Sequence, residues 1–307
     1  MNKQPINIFE FPSNLGLKKT QHEDEPGVKF LPAWLKKYGF YDKLKPQQVF
    51  RIEPPPYAME QDEETGVRNT DHIIKYAKQQ ASILSEHFNN NTFNVILGGD
   101  CSILIGNAIA LKQAGKFGLF YLDGHTDFML PALSVTGGAA GMDLAIVTGH
   151  GHNKLTNTYN LQPYFDEETV WCVGNREYDT DYVQPILNSK INYYDLQKLR
   201  KEGIETCISR FLRMISRKKL NGFFIHLDAD VLNDDIMPAV DSREKGGLQY
   251  EELNAILDYL LESPKARGIE ITIIDPTLDK EGKYTSEFIF NVGNSISNAK
   301  NKNQLTM

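Results

Sequence analysis

The chain has 307 residues, of which 41% are hydrophobic and 24% are charged. This composition is typical of a soluble globular protein and excludes a disordered or fibrous chain. The formal net charge of -7 argues against general attraction to nucleic acid or to an anionic membrane surface. No stretch reaches the roughly 20 apolar residues of a membrane span, and the first residues lack the apolar run of a secretory signal. We therefore expect a cytoplasmic protein, folded as a single domain over residues 1–307.

Short apolar runs rich in β-branched and aromatic residues predict strands, and segments with helical periodicity lie between them. Residues 71–88 carry an apolar stripe of helical spacing, with Asp71 as the expected N-cap, and residues 246–262 repeat this pattern. Strands that alternate with helices predict a doubly wound α/β fold, in which helices cover both faces of a mainly parallel sheet. The polar tail, residues 298–307, is expected to be frayed. The predicted strands are 6–11, 94–97, 118–122, 170–173, 222–227 and 269–274.

Polar residues follow three of these strands directly. The strand at 94–97 is followed by GGDCS (98–102), the strand at 118–122 by DGHTD (123–127), and the strand at 222–227 by DAD (228–230). Ligands of open parallel sheets bind beyond the carboxyl ends of the strands, so these three segments are the candidate site. Three cysteines are too few and too scattered for a disulfide framework or a paired zinc knuckle, so Cys101 needs its own explanation.

The carboxylates in these segments predict a metal site. In an extended segment alternate residues share a face, so Asp123, His125 and Asp127 point the same way, and so do Asp228 and Asp230. That much negative charge is costly to gather unless a cation neutralises it. Oxygen donors with one or two softer ligands suit divalent first-row metals, and five or six ligands exceed what one ion takes from protein. We therefore expect two bridged ions and hydrolytic chemistry.

The three segments resemble the signatures of the ureohydrolases, the family of arginase, agmatinase and formimidoylglutamase. Its signatures are a GGDHS-type turn, a DAHxD segment and an SxDxD segment followed by Gly-Gly-Leu. Here they read GGDCS (98–102), DGHTD (123–127) and HLDAD (226–230), with GGL at 246–248. The segment VGNREYD (173–179) also looks like the family's strand ending in GxRDxD. The resemblance implies a three-layer α/β sandwich around a parallel sheet.

The resemblance also implies an activity and roles for particular residues. The family binds two Mn²⁺ ions and hydrolyses a guanidino or amidino C–N bond by attack of a metal-bridging hydroxide. Asp127 would also orient the hydroxide and pass its proton to the leaving amine, while Asp179, with Glu177, would contact the amino end of a small guanidino or amidino substrate. One ion would be held by Cys101, Asp123, Asp127 and Asp228, and the other by Asp123, His125, Asp228 and Asp230.

The chain departs from the family pattern at three positions. Cys101 replaces a histidine ligand, and because a thiolate is softer than an imidazole, Zn²⁺ or Fe²⁺ becomes possible in place of Mn²⁺. Ala140 stands where arginase has a proton-shuttling histidine, and Ile273 stands where it has the glutamate that clamps the guanidinium. Glu270 or Asp275 could compensate for that glutamate only with a different geometry. These losses predict a ureohydrolase with a substrate other than that of arginase.

Three readings of the chain stay open at this stage. The first is a metal-dependent hydrolase, the second is a non-catalytic relative with a binding or assembly role, and the third makes Cys101 a nucleophile. The retained carboxylates favour the first reading and oppose the third, because carboxylates raise the pKa of a thiol. His150 and His152 are either replacement proton shuttles or solvent-facing loop residues, and His226 either supports the metal site or is an ordinary buried histidine. The resemblance also makes a homo-oligomer possible.

Overall fold

The computed structural model describes residues 4–21, 23–88 and 91–301. Within these ranges eight strands form one sheet in the order β2-β1-β3-β8-β7-β4-β5-β6, and every neighbouring pair is parallel. The predicted parallel α/β sheet is confirmed. The strands are β1 (Ile6–Glu10), β2 (Gln48–Arg51), β3 (Phe93–Leu97), β4 (Phe117–Leu122), β5 (Val170–Val173), β6 (Asn192–Tyr194), β7 (Gly222–Asp228) and β8 (Ala266–Thr272).

Helices cover both faces of the sheet and make three layers. The buried apolar residues divide into two clusters, one on each face, because successive side chains of a strand point to opposite sides. Helices α3 to α7 pack on one face, and α1, α2 and α8 to α11 pack on the other. The helices are α1 (Leu31–Lys37), α2 (Phe40–Leu44), α3 (Thr70–Leu84), α4 (Ile103–Ala114), α5 (Asp143–Val147), α6 (Asn153–Thr156), α7 (Thr180–Leu187), α8 (Leu196–Glu202), α9 (Ile204–Arg217), α10 (Tyr250–Leu261) and α11 (Lys283–Asn301).

All six predicted strands are present, and the two strands that sequence reasoning missed are the edge strands. β2 is largely exposed and β6 has only three residues, so neither shows the apolar run that marks a strand buried on both faces. The predicted end of β8 was also too late. Ile273 leaves the sheet with a φ of 70°, a left-handed conformation that β-branched residues rarely adopt.

Two predictions about helix ends were wrong. Helix α3 begins at Thr70 with Asn69 at its N-cap, in a left-handed conformation, so Asp71 lies inside the first turn. Helix α11 runs to Asn301, so residues 298–301 are helical where a frayed tail was expected, and residues 302–307 lie outside the described ranges. Of the helices within those ranges, none combines the length and the apolarity that crossing a membrane requires.

The strand order brings the three polar segments together. Strands β3 and β4 are consecutive in the chain but lie in opposite halves of the sheet, with β8 and β7 between them. The four central strands are therefore β3, β8, β7 and β4, and the segments after β3, β4 and β7 meet at their carboxyl ends. This crevice is where ligands of doubly wound sheets bind.

Candidate metal centre

Close packing at the end of β3 fixes the position of Cys101. A Cβ at Gly99 would lie 1.7 Å from the carbonyl oxygen of Ser13, so only glycine allows this approach. Asp100 braces the turn, because its carboxylate accepts hydrogen bonds from the Ser13 hydroxyl at 2.7 Å and from the backbone N–H of Ser102 at 2.8 Å. The buried side chain of Cys101 thereby faces the ends of β7 and β8.

Four buried side chains converge beside this turn, and we call them the inner cluster: Cys101, Asp123, His226 and Asp228. One ligand atom from each lies within 4.8 Å of the others. The thiol of Cys101 donates to Asp228 Oδ2 at 2.8 Å and to Thr272 Oγ1 at 3.2 Å. His226 Nε2 faces Asp123 Oδ2 at 3.7 Å. A thiol, an imidazole and two carboxylates thus surround one point.

A second group, the outer cluster, consists of Asp123, His125 and Asp230. His125 Nδ1 lies 3.0 Å from Asp230 Oδ2 and 3.6 Å from Asp123 Oδ1. Backbone N–H groups fix the carboxylates, since His125 N donates to Asp123 Oδ1 at 2.6 Å and Asp230 N donates to Asp228 Oδ1 at 2.8 Å. Asp123 belongs to both clusters, which is the arrangement expected of a carboxylate between two ions.

Asp127 lies beside these clusters but is held differently. Its Oδ2 is 3.0 Å from the hydroxyl of Tyr121, and the same hydroxyl is 2.8 Å from Asp143 Oδ1. Asp127 has a φ of 42°, a left-handed conformation that turns the chain at the end of its segment. The structure therefore brings Asp127 into a buried Tyr121–Asp143 network as well as into the crevice.

Electrostatics within the crevice are dominated by buried like charges. Burial raises the pKa of Asp228 well above its usual range, and the charges of Asp230 and Asp123 add to this. Burial also raises the pKa of Asp127 well above its usual range, and the charges of Asp123 and Asp143 make smaller contributions in the same direction. Burial also raises the pKa of the Cys101 thiol, with Asp228 the nearest contributing charge. A bound cation would oppose these upward shifts, because it favours the ionised form of each group.

Burial acts on the pKa of the two histidines, His125 and His226, in the opposite direction to its effect on the carboxylates. Burial alone would lower the pKa of His226, but its contacts with Asp123 and Glu270 raise it well above the usual value. Burial alone would also lower the pKa of His125, but its contacts with Asp230 and Asp123 raise it well above the usual value. Burial would likewise raise the pKa of Asp123, but the nearby rings of His125 and His226 lower it. Each histidine thus offsets part of the carboxylate charge.

The residues of the crevice fit a divalent metal ion. Asp123 Oδ2 and His226 Nε2 are buried and have no hydrogen-bond partner among the described residues. An unpaired buried polar atom is costly, so two of them facing each other at one point indicate a missing partner that both can bind. Carboxylate, imidazole and thiolate all bind divalent first-row metals, which makes a cation the partner that suits this donor set.

A cavity of about 590 Å³ opens above both clusters. Its floor includes Cys101, His125 and Asp228, and its wall includes Ala140 and the buried Ile273. Ala140 and Ile273, two of the three positions that depart from the arginase pattern, therefore line the cavity with apolar surface. A pocket of this size and composition suits a small molecule that is held by an apolar wall and by a few polar groups.

The predicted substrate contacts and proton shuttles differ in whether they line this cavity. Glu177 lines it, whereas Asp179 caps helix α7 by accepting from the backbone N–H groups of Asp181 and Tyr182 and is absent from the described lining. His150 lies 2.6 Å from Glu167, and His152 caps helix α6; neither is among the described residues that line the cavity.

Sequence reasoning named His226 and Glu270 separately but missed the buried network that joins them to Tyr121 beneath the clusters. Tyr121, His226 and Glu270 are register partners on the adjacent strands β4, β7 and β8. The rings of Tyr121 and His226 stack with their centroids 4.2 Å apart, and His226 Nδ1 lies 2.5 Å from Glu270 Oε1. One signal was available, since Tyr121 precedes Asp123 by two residues and so shares its face. Asp143, in an otherwise apolar segment, was another.

A parallel sheet with two carboxylate-bridged ligand clusters at its carboxyl edge defines a candidate binuclear metal protein. The arginase from Staphylococcus aureus strain MRSA252 is 27% identical over 301 residues, which cover 95% of this chain and 96% of that one. The arginase structure from Bacillus caldovelox superposes with a TM-score of 0.84 at 22% identity, covering 99% of this chain and 100% of that one. The formimidoylglutamase structure from Bacillus subtilis superposes with a TM-score of 0.69 at 20% identity, covering 97% and 88%.

A model of the arginase family matches residues 8–297 of the chain. This match begins within β1 and covers the other seven strands and every residue of the two clusters. The chain belongs to the arginase family.

Proposed function

We propose that the protein is a binuclear metal-dependent hydrolase of a linear C–N bond in a small guanidino or amidino compound. One observation carries the proposal: a member of the arginase family keeps two ligand clusters that share Asp123, at the floor of a cavity of about 590 Å³. A protein free of selection for metal chemistry has no reason to keep this costly set of buried carboxylates.

The donor set determines which ions the protein would hold. Two bound divalent ions would lower the pKa of a water molecule enough to make it a nucleophile near neutral pH. Mn²⁺ is the proposed cofactor, and the thiol of Cys101 also makes Zn²⁺ or Fe²⁺ suitable. The assignment from sequence gives one ion Cys101, Asp123, Asp127 and Asp228, and the other Asp123, His125, Asp228 and Asp230.

Asp127 is the proposed proton-transfer group. Its pKa is raised by burial and by Asp123 and Asp143, so it can hold a proton at a pH where ordinary aspartates are ionised. The hydroxyl of Tyr121, 3.0 Å from Asp127 Oδ2, orients the carboxylate. Asp127 also lines the cavity, where it can accept a proton from water and deliver it to a leaving amine.

The residues of the cavity wall limit the kind of substrate that can bind. Ile273 and Ala140 offer no charge or hydrogen bond to a guanidinium group, so we propose a substrate that places an apolar portion against them. Glu177 lines the cavity, which supports the proposal that it contacts an amino or amidino nitrogen of the substrate. The same role for Asp179 requires that its carboxylate give up the cap of helix α7.

A non-catalytic relative is the second candidate, and the apolar replacements Ala140 and Ile273 are the observation that favours it. Such a protein would bind metal or a small molecule without hydrolysing it. The cytoplasmic location, the lack of a nucleic-acid or membrane partner and a homo-oligomeric state stay predictions from the sequence.

The test is reconstitution followed by a substrate screen. The chain is stripped with a chelator, reloaded separately with Mn²⁺, Zn²⁺ and Fe²⁺, and assayed for release of urea, ammonia or amine from a panel of guanidino and amidino compounds. We expect metal-dependent turnover of at least one compound and its loss in Asp230→Ala, with His150→Gln as the control. Metal-loaded protein that releases no product from any compound would favour the non-catalytic candidate.

A further inference from the structure

His226 has two ring nitrogens in contrasting environments. Nδ1 lies 2.5 Å from Glu270 Oε1, which is a short hydrogen bond. Nε2 has no hydrogen-bond partner among the described residues and points at Asp123 Oδ2, which is equally unpaired, across 3.7 Å. Both side chains are fully buried. One nitrogen is therefore oriented by the protein, and the other is aimed into the inner cluster.

The position of His226 Nε2 matches that of a metal ligand. Four ligands of a tetrahedral ion, at roughly 2.0–2.3 Å from the metal, lie roughly 3.3–3.7 Å from one another. The Nε2-to-Oδ2 separation of 3.7 Å is of this size, and it is too long for a hydrogen bond. Cys101 and Asp228 complete the set; their ligand atoms lie 2.8 Å apart because the thiol donates to the carboxylate, and a bound cation would take the place of that proton and move them apart.

We propose that His226 is a direct metal ligand and that the inner cluster is a four-coordinate site for a zinc-like ion, made by Cys101, Asp123, His226 and Asp228. This inference rests on the proposed function, because it specifies one of the two metal positions. It differs from the sequence-based assignment in one ligand, since His226 takes the place of Asp127. Thiolate and imidazole ligands favour Zn²⁺ or Co²⁺ over Mn²⁺ at this position.

The surroundings of His226 support ligation. A metal-bound histidine almost always donates its second ring N–H to a carboxylate or carbonyl, which fixes the tautomer and makes the free nitrogen a better ligand. Glu270 is that carboxylate, and the side-chain amide of Asn107 donates to its other oxygen. Tyr121 stacks on the imidazole with the two ring planes only 2° apart, so the ring cannot swing away.

Two departures from the metal motifs compensate each other. At the GGDHS-type turn an imidazole is replaced by Cys101, and at the SxDxD segment a serine is replaced by His226. In the structure both belong to the inner cluster. The number of nitrogen ligands available to the centre is thus kept, while a sulfur ligand is added. Asp127 is left to Tyr121 and to proton transfer.

The competing role for His226 is that of a buried cation between Asp123 and Glu270. A protonated ring would balance the two carboxylates without metal. That role predicts a donor-to-acceptor distance to Asp123 within hydrogen-bonding range, whereas the observed separation is 3.7 Å. It also gives no account of why the Cys101 thiol faces the same point.

Cobalt binding to the full-length chain distinguishes these roles. The stripped protein is titrated with Co²⁺ under anaerobic conditions, and absorption and bound metal are followed together. We expect intense visible bands of a tetrahedral ion and a near-ultraviolet thiolate-to-cobalt band. Cys101→Ser should remove the ultraviolet band, and His226→Gln should weaken binding at this site by about 100-fold or more. Absence of the ultraviolet band in the wild type would overturn the proposal.

Two controls separate ligand loss from other effects. His125→Gln removes a ligand of the outer cluster and should leave the thiolate band intact, and His150→Gln should change neither site. If His226→Gln does not fold, X-ray absorption of the wild-type zinc protein gives the same decision. One sulfur and one imidazole at the zinc support the proposal, and a shell without imidazole refutes it. Unchanged cobalt affinity in folded His226→Gln also refutes it.

The outcomes for this site and for the proposed function are independent. A chain that shows the thiolate band and loses cobalt affinity in His226→Gln, but hydrolyses no compound, keeps the His226 assignment and contradicts the hydrolase. A chain that is loaded with Mn²⁺ and hydrolyses a compound, but never shows the thiolate band with Co²⁺, keeps the hydrolase and contradicts the proposed four-ligand site.

Discussion

The two ends of the parallel sheet both bury charged side chains, and they deal with that charge in different ways. At the carboxyl end several aspartates and two histidines surround a cavity. At the amino end Lys300 is buried, with its Nζ 2.9 Å from the carbonyl oxygen of Leu261 and 4.2 Å from the ring centroid of Phe93, the first residue of β3.

The comparison shows that burial of a charge alone does not mark a functional site. Burial, together with the nearby charge of Arg267, lowers the pKa of Lys300 to about 7, so this side chain relieves its own cost by losing a proton. The groups at the carboxyl end cannot each relieve the cost of burial by a single proton transfer, because they lie close together and the charge of one affects the next. They also leave the buried atoms Asp123 Oδ2 and His226 Nε2 without a hydrogen-bond partner among the described residues. Convergence and a cavity, added to burial, distinguish the candidate metal centre.

The largest expected effect comes from removing a carboxylate of the inner cluster. Asp228→Asn should lower hydrolytic activity by about 10³-fold or more and reduce bound metal, since a ligand to both ions is lost. The metal-free variant should unfold at a higher temperature than the metal-free wild type, because a buried charge with a raised pKa is gone. Calorimetry and metal analysis measure both. A less stable metal-free variant would mean that Asp228 is mainly structural.

Metal loading should stabilise the wild-type protein. An ion that binds only the folded state at about 1,000 times its dissociation constant adds about 4 kcal/mol to the free energy of unfolding. Thermal unfolding of chelated and reloaded protein measures the shift, and the Asp228→Asn variant is the control that should respond much less. Equal unfolding temperatures with and without Mn²⁺, Zn²⁺ or Fe²⁺ would contradict the metal centre.

At the other end of the sheet, Lys300→Met should stabilise the protein in a pH-dependent way. The folded-state pKa of Lys300 is about 7 against an ordinary value of 10.5, so the unfolded chain binds more protons between these values and wild-type stability rises with pH across them. The gain from Lys300→Met should be largest below pH 7 and should shrink by about 5 kcal/mol once the pH exceeds 10.5, since the two pKa values differ by about 3.5. Denaturant unfolding at several pH values tests this. A gain that does not vary with pH would exclude titration of Lys300 as the cause.

The smallest expected effect concerns the apolar wall of the cavity. Ile273→Ala keeps the Cβ, and so most of the cost of a positive φ, while removing the apolar contact. We expect KM for the identified substrate to rise about tenfold with little change in kcat or metal content. Steady-state kinetics measure it, with Ile273→Val as the matched control. An unchanged KM would place the substrate elsewhere in the cavity.

The sequence predicted the sheet and most of the candidate centre for a physical reason. Strands buried on both faces must be apolar along their whole length, so β3, β4 and β7 were visible, and the polar residues that follow them stood out. The exposed β2 and the three-residue β6 carry no such signal. The N-cap at Asp71 failed because Asn69 adopts a left-handed conformation that starts the helix two residues earlier.

The sequence by itself determined the fold and its family, since strand–helix alternation and three strand-end motifs are local patterns. It also determined that Asp123, His125, Asp228 and Asp230 gather at one edge, because parallel strands end together. Only the tertiary structure decided that His226 lies between Tyr121 and Glu270 and aims Nε2 at Asp123. Strand order and register set those neighbours, and both depend on packing between segments far apart in the chain.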